Sequence, residues 1–231
     1  MSLVPPSFLL RVCYPCRYLK DMPREDDDRL LDLPADYRLD NFAAMDARPS
    51  FADVRLAWNE LGIGFQVEVK GKDQQPQGDA SRLRASDGVT LWVDTRDARA
   101  SHRASRHCHQ FFFLPTGGGP DRDEPVFSQT AIHRALQDAP LCSPGDIAFR
   151  GQLKKTGYII EAFLPAAVLN GFDPEHNPRL GFFFAVRDVE LGDHLLSATP
   201  EFPYWEDPSL WSVLELVKSD SKKKVARGRG K

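Results

Sequence analysis

In Val89-Thr90-Leu91-Trp92-Val93-Asp94, apolar Val89, Leu91 and Val93 alternate with Thr90, Trp92 and Asp94. A strand with that period turns the first set to a core and the second to the opposite face. The same phase puts Glu161 opposite Tyr158 and Ile160, and Arg187 opposite Phe184 and Val186. A sheet face carrying Trp92, Asp94, Glu161 and Arg187 would make a polar-aromatic platform. The competing reading packs Trp92 under a loop and pairs Glu161 with Arg187 for structure alone. Tyr204-Trp205 is the second aromatic candidate. Pro203 and Pro208 bracket it, which predicts a loop, where exposed aromatics often serve binding. Its alternative is a plug sealing one end of the fold. Trp211 reads as core.

The segment from Arg96 to His109 gathers Arg96, Arg99, Arg103, Arg106 and the histidines His102, His107 and His109. Beside the strand end at Asp94, Arg96 suits anion or substrate contact. A zinc reading would join His107 and His109 to the thiolates of Cys13-x-x-Cys16, but no second Cys-x-x-Cys or His-x3-5-His completes the set. The expectation is no metal and no cofactor. Catalytic signatures are missing as well: no Gly-x-Ser-x-Gly, no His-Glu-x-x-His and no phosphate loop. Two carboxylates would suit a glycosidic substrate. Carboxylates are so common here that no pair stands out, and no catalytic residue is assigned.

These side chains need a frame, and composition points to sheet. The 231 residues include 18 Pro, 16 Gly and 15 Phe, which favour turns and strands over long helices. The net charge of −3 conceals a split. From Lys218 to Lys231 there are seven basic residues and one acid, so this segment carries +6 and the remaining body −9. An acidic body excludes general nucleic-acid binding, which needs a basic face. The basic segment reads as a disordered tail (218–231) open to weak polyanion contact, worth about 1 kcal/mol per basic residue at an anionic membrane. No run of about 18 apolar residues predicts a spanning helix. No secretion signal is evident at the amino terminus, so a cytoplasmic location with reduced cysteines is favoured.

The periodicity predicts roughly nine strands. The first covers Phe8 to Val12, followed by an acidic loop containing Glu25-Asp26-Asp27-Asp28. A hairpin joins Val54–Trp58 to Gly64–Val69, and Val89–Val93 and Gln110–Leu114 follow. Gln110–Leu114 is apolar on both faces and should lie mid-sheet. The long connection from Pro115 to Asp146 suggests a short helix over Gln129 to Gln137. A second hairpin pairs Ile147–Leu153 with Gly157–Leu164, and Leu180–Val186 and Ser212–Val217 close the chain. The expected architecture is all-β: a two-sheet antiparallel β-sandwich, jelly-roll-like, forming one domain over residues 1–217.

Four segments in order carry a resemblance. Ala57-Trp58-Asn59-Glu60-Leu61-Gly62-Ile63-Gly64-Phe65 resembles the opening hairpin of family 9 carbohydrate-binding modules and their DOMON-like relatives. Asp87 to Asp94 resembles that group's strand ending in Asp. Gly157-Tyr158-Ile159-Ile160-Glu161-Ala162-Phe163-Leu164-Pro165 resembles its Tyr-x-x-Glu strand and the following apolar-proline step. Leu180 to Asp188, with Pro208 to Leu214 and Trp211, resemble its last two strands. The match spans about residues 50–217. It implies a jelly-roll sandwich that holds a saccharide, since sugar C–H faces stack on aromatic rings while hydroxyls need directional partners. On that reading Trp92, Asp94, Arg96, Glu161, Arg187, Tyr204 and Trp205 are the candidate contacts. Two alternatives remain: haem held as in some DOMON domains, with a histidine ligand from the 102–109 segment, or a sandwich used only for protein contact.

Overall fold

The computed structural model describes residues 12–24, 29–40, 42, 45, 48 and 50–218. The expected strand at Phe8–Val12 lies almost wholly outside these, as do the loop Glu25–Asp28 and the basic tail beyond Lys218. Among the described residues there is no α-helix, and no helix is long and apolar enough to cross a membrane.

The described residues form eleven strands: β1 (Cys13–Tyr18), β2 (Ala52–Asn59), β3 (Gly62–Lys70), β4 (Gly88–Asp94), β5 (Cys108–Gly118), β6 (Glu124–Thr130), β7 (Ala148–Lys154), β8 (Gly157–Pro165), β9 (Arg179–Asp188), β10 (Gly192–Leu195) and β11 (Ser212–Val217). Period-two patterning explains most of them. In β3, Phe65, Val67 and Val69 are buried while Gln66 and Glu68 are half-exposed. Both expected hairpins form, β2 with β3 and β7 with β8.

Three strands depart from expectation. β6 occupies the connection where a helix over Gln129–Gln137 was expected, and it pairs antiparallel with β5. β10 is a four-residue strand on β9, too short to show a period. β1 contains Pro15 and runs parallel to both β11 and β2, pairing Cys13 with Val213 and Arg17 with Ala57. A strand whose partners lie forty and two hundred residues away has no local hairpin signal.

Hydrogen-bonded neighbours run β6-β5-β4-β9-β11-β1-β2-β3-β8-β7, with β10 off this path on β9. The strands thus form one continuous sheet rather than two separate ones, and β1 is the link between its halves. The sheet curls until its ends meet, with Gly151 of β7 close enough that a Cβ there would press on Pro125 of β6. The interior is aromatic: Phe113 lies 4.8 Å from Phe65 and 5.3 Å from Phe149, joining β5 to β3 and β7 across the core. As expected, β5 is buried on both faces, because the 71–87 connection lies over it. Gly78 approaches the Thr116 carbonyl too closely for any side chain, and Gly117 takes φ +113° at the bulge in β5.

One buried charge cluster fixes the strand ends beside the site described next. Lys72 donates to both oxygens of Asp188, at 2.6 and 2.8 Å, and to Asp87 at 3.1 Å. All three side chains are almost fully enclosed. Burial works against the ammonium, but the two carboxylates outweigh it and hold Lys72 above its ordinary pKa. Asp188 also accepts from the Glu190 and Leu191 amides, and Asp87 from Val189. The β9–β10 turn is thereby locked to the start of β4.

Candidate functional site

Side chains on one face of adjacent strands meet only if their registers agree. Here Trp92 pairs with Gln110 of β5 and Phe183 of β9, Thr90 with Phe112 and Ala185, and Arg187 with Asp193 of β10. The face turned away from the core therefore carries Gln110, Phe112, Thr90, Trp92, Ala185, Arg187, Asp193 and Leu195. With Arg84, Pro200, Tyr204 and Trp205, these line a cavity of about 260 Å³. Of the seven residues singled out in the sequence, Trp92, Arg187, Tyr204 and Trp205 come together there.

The loop carrying Tyr204 and Trp205 is anchored rather than free. Tyr204 stacks on Phe183 at 4.6 Å and meets Trp92 edge-on at 5.6 Å, and its carbonyl accepts the indole N–H of Trp211 at 2.8 Å. Asp207 caps the following 3₁₀ turn, Pro208–Leu210, through the Ser209 amide. Burial, with Asp193 nearby, pushes the Tyr204 phenol up to about 12, so it stays protonated and able to donate. Trp205 stands at 77° to Tyr204 and is only half-buried, which leaves part of its ring accessible. Trp92 is 3% exposed and packs beneath Tyr204, so its ring is not an open stacking surface. Trp211, read as core, is buried.

The polar chemistry of this cavity is unusual. Gln110 is fully enclosed, yet neither its Nε2 nor its Oε1 has a hydrogen-bond partner among the described residues. The Trp92 Nε1 in the neighbouring strand is in the same position. Two donors and one acceptor thus meet no protein group, and each such buried atom costs about 1–3 kcal/mol. A shallower depression of about 540 Å³ along Ala80–Ala85 and Thr130 adjoins the cavity, with Arg84 and Phe112 in the lining of both.

The other three sequence candidates lie elsewhere, so the expected common face of Trp92, Asp94, Glu161 and Arg187 does not form. Asp94 follows Trp92 on the strand, but its carboxylate accepts from the Arg96 and Ala98 amides at 2.9 and 2.7 Å and is consumed in shaping the turn. Burial raises its pKa despite those bonds. The Arg96 side chain is exposed outside the cavity. Glu161 sits on β8, in the other half of the sheet, beside Gln66, Arg55 and Arg150, where it accepts from the Leu30 amide at 3.2 Å. Burial raises this carboxyl too. Phase within one strand says nothing about which strands adjoin, so equal phase in β4, β8 and β9 does not make a shared face. The sequence reading missed Gln110, Phe112, Arg84 and Asp193. Gln110 carried one signal, a polar residue opening an otherwise apolar run.

Other sites are weaker. A cavity of about 710 Å³ lies between β2, β3 and β10, but four of its lining charges are already paired, Arg38 with Asp53 and Lys70 with Glu68. Cys13 and Cys16 fall on opposite faces of β1, one exposed and one buried, since three positions along a strand reverse the side-chain direction. No group of three metal-ligating side chains gathers among the described residues. His102, Asp207 and Ser209 adjoin, but both partners address the same ring nitrogen, Nδ1, which cannot relay a proton from one to the other.

No protein-family model matches the chain, and no curated protein matches its sequence. Similarity appears in three dimensions. A family 9 carbohydrate-binding module from Caldicellulosiruptor kristjanssonii, solved in complex with glucose, superposes with a TM-score of 0.60 at 13% identity, covering 91% of this chain and 98% of that one. The chain has the family 9 fold. A second structure of a family 9 module from the same organism, in complex with cellotriose, gives 0.56 at 14% identity over 95% and 100% of the two chains. At such identity the family 9 frame is what is shared, and the cavity beside Trp92 is described by this chain's own residues.

Proposed function

We propose that the chain is a non-catalytic saccharide-binding module, its ligand held in the cavity between β4, β5, β9, β10 and the Tyr204–Trp205 loop. The unpartnered polar atoms of Gln110 and Trp92 carry this reading; both are enclosed, so the ligand reaches them by displacing the Tyr204 ring that packs over Trp92. A donor–acceptor amide and an indole N–H, enclosed under aromatic walls, match a sugar ring whose hydroxyls both give and take hydrogen bonds while its C–H face seeks a ring such as Trp205. The family 9 frame supports it, since the two similar modules were solved with glucose and cellotriose. The adjoining depression across Arg84 and Phe112 gives room for more than one sugar unit.

On this reading Trp205 stacks, Gln110 and Trp92 Nε1 orient, and Arg187 borders the ligand, whereas Asp94 and Arg96 shape the neighbouring turn and Glu161 serves the opposite half. The curled sheet is read as a jelly-roll sandwich whose layers are joined through β1, acting as one domain up to Val217. The segment 218–231 is read as a basic appendage able to make weak polyanion contact. A glycan array followed by calorimetry on the best ligand tests the function. Trp205→Ala and Gln110→Ala should each weaken binding about five- to tenfold or more while the protein stays folded. Unchanged affinity in both, or in a folded Trp92→Ala, removes this site.

A further inference from the structure

The cavity has a charge pattern that neutral sugar binding does not require. Arg84, from the 3₁₀ turn Leu83–Ala85, and Arg187, from β9, both line it, and both act on the Tyr204 hydroxyl at its wall. Neither guanidinium makes a side-chain hydrogen bond or ion pair among the described residues, and both are exposed. Asp193 stands opposite Arg187 across β9 and β10 but forms no ion pair with it. Two cations against one anion leave this cavity net positive on a body whose formal charge is −9. Some arginines elsewhere are taken up by neighbours: Arg38 and Arg55 by Asp53, Arg99 by Asp97, Arg103 by the Arg134 and Ala135 carbonyls.

A guanidinium offers a planar fork of donors whose best partner is a planar carboxylate, bound through two parallel hydrogen bonds. Next to an enclosed amide and indole N–H, that fork fits a ring that carries hydroxyls and a carboxylate together. We infer that the ligand is an acidic saccharide, one whose units bear a carboxylate, with Arg84 and Arg187 receiving the charge while Gln110 and Trp92 read the hydroxyls. The inference rests on the saccharide-binding reading above and narrows its ligand class.

Calorimetry with three oligosaccharides of equal length tests it: a galacturonate trimer, the same trimer as its neutral methyl ester, and cellotriose. A sulfated trimer of a neutral sugar forms a fourth arm. The acid should bind about tenfold or more tighter than its ester at low salt, with the margin shrinking as salt rises. Arg84→Gln and Arg187→Gln should each cut the margin, and the double variant should erase it. Equal binding of acid and ester, or a margin that survives the double variant, overturns the inference and leaves saccharide binding standing. Tighter binding of the sulfated trimer than of the uronate overturns the carboxylate assignment. If none of the four binds, this inference and the function it rests on fall together.

Discussion

Trp92 and Gln110 are register partners on β4 and β5, and between them they bury three polar atoms that no described protein group satisfies. Conversion of Trp92 to Phe keeps most of the ring packing against Phe183 and Tyr204 but deletes the N–H. The melting temperature should change little, because an unpaired buried donor is removed, while saccharide affinity falls about fivefold. Thermal unfolding and calorimetry on the same preparation check both halves. A large loss of stability with unchanged affinity would give the indole N–H a purely structural role.

Trp211 acts on the cavity through Tyr204. Its indole N–H holds the Tyr204 carbonyl, so Trp211→Phe should loosen the 200–207 loop at a cost of about 1 kcal/mol in stability. Hydrogen exchange at Tyr204 and Trp205 should speed up while exchange in β3 and β8 stays slow. Uniform acceleration across the sheet would show that the bond supports the core rather than the loop.

Among the described residues, Lys72 is the one cation paired with the enclosed carboxylates of Asp87 and Asp188. Lys72→Met strands both charges, and urea unfolding should report a loss of about 3–5 kcal/mol. Adding Asp188→Asn should recover part of that loss. A single variant as stable as the parent would mean that water reaches the cluster.

Two histidines make folding sensitive to acid. Burial depresses both His109 and His194 to about 4, against 6.5 for the free side chain. Below pH 6.5 the unfolded chain takes up protons that the folded one refuses, so stability is full above 6.5 and drains away until pH reaches about 4. Each shift is worth roughly 3 kcal/mol at most. Asp94 and Glu161, raised by burial, contribute with the opposite sign across the acid range. The double variant His109→Gln, His194→Gln should therefore gain stability relative to the parent between pH 7 and pH 4. Parallel pH profiles from urea titrations would refute the assignment.

Thiol accessibility follows strand phase. Cys13 is exposed, whereas Cys16 and Cys108 are buried, with the Cys108 thiol pushed up to about 12 mainly by burial. A thiol reagent should label Cys13 in the folded protein and reach Cys16 and Cys108 only after denaturation. Labelling followed by peptide mapping reads this directly. Rapid native labelling of Cys16 would mean that β1 detaches from β11 and β2.

Lys218, the first residue of the expected tail, is docked: its ammonium lies 2.9 Å from Glu60 and 5.4 Å from the Tyr18 ring. Glu60 in turn is drawn down to about 2, chiefly by the Tyr18 hydroxyl it accepts from and by Lys218. Charge counting placed the boundary of the basic segment here, but it could not show that its first member is held.

By itself the sequence determined the all-β class, both hairpins, β4, the double burial of β5 and the aromatic content of the candidate cavity. Each of these follows from alternation, turn residues or apolar runs, which are local properties of the chain. Tertiary structure alone decided which strands adjoin. It put Gln110 beside Trp92 and Arg187 beside Asp193, sent Glu161 to the other half of the sheet, and spent the Asp94 carboxylate on a turn. It also recruited β1, whose parallel partners are set by distant contacts. Period two assigns a residue to a face, but neighbours on that face come from strand order and register, and those are fixed only when the whole sheet closes on its core.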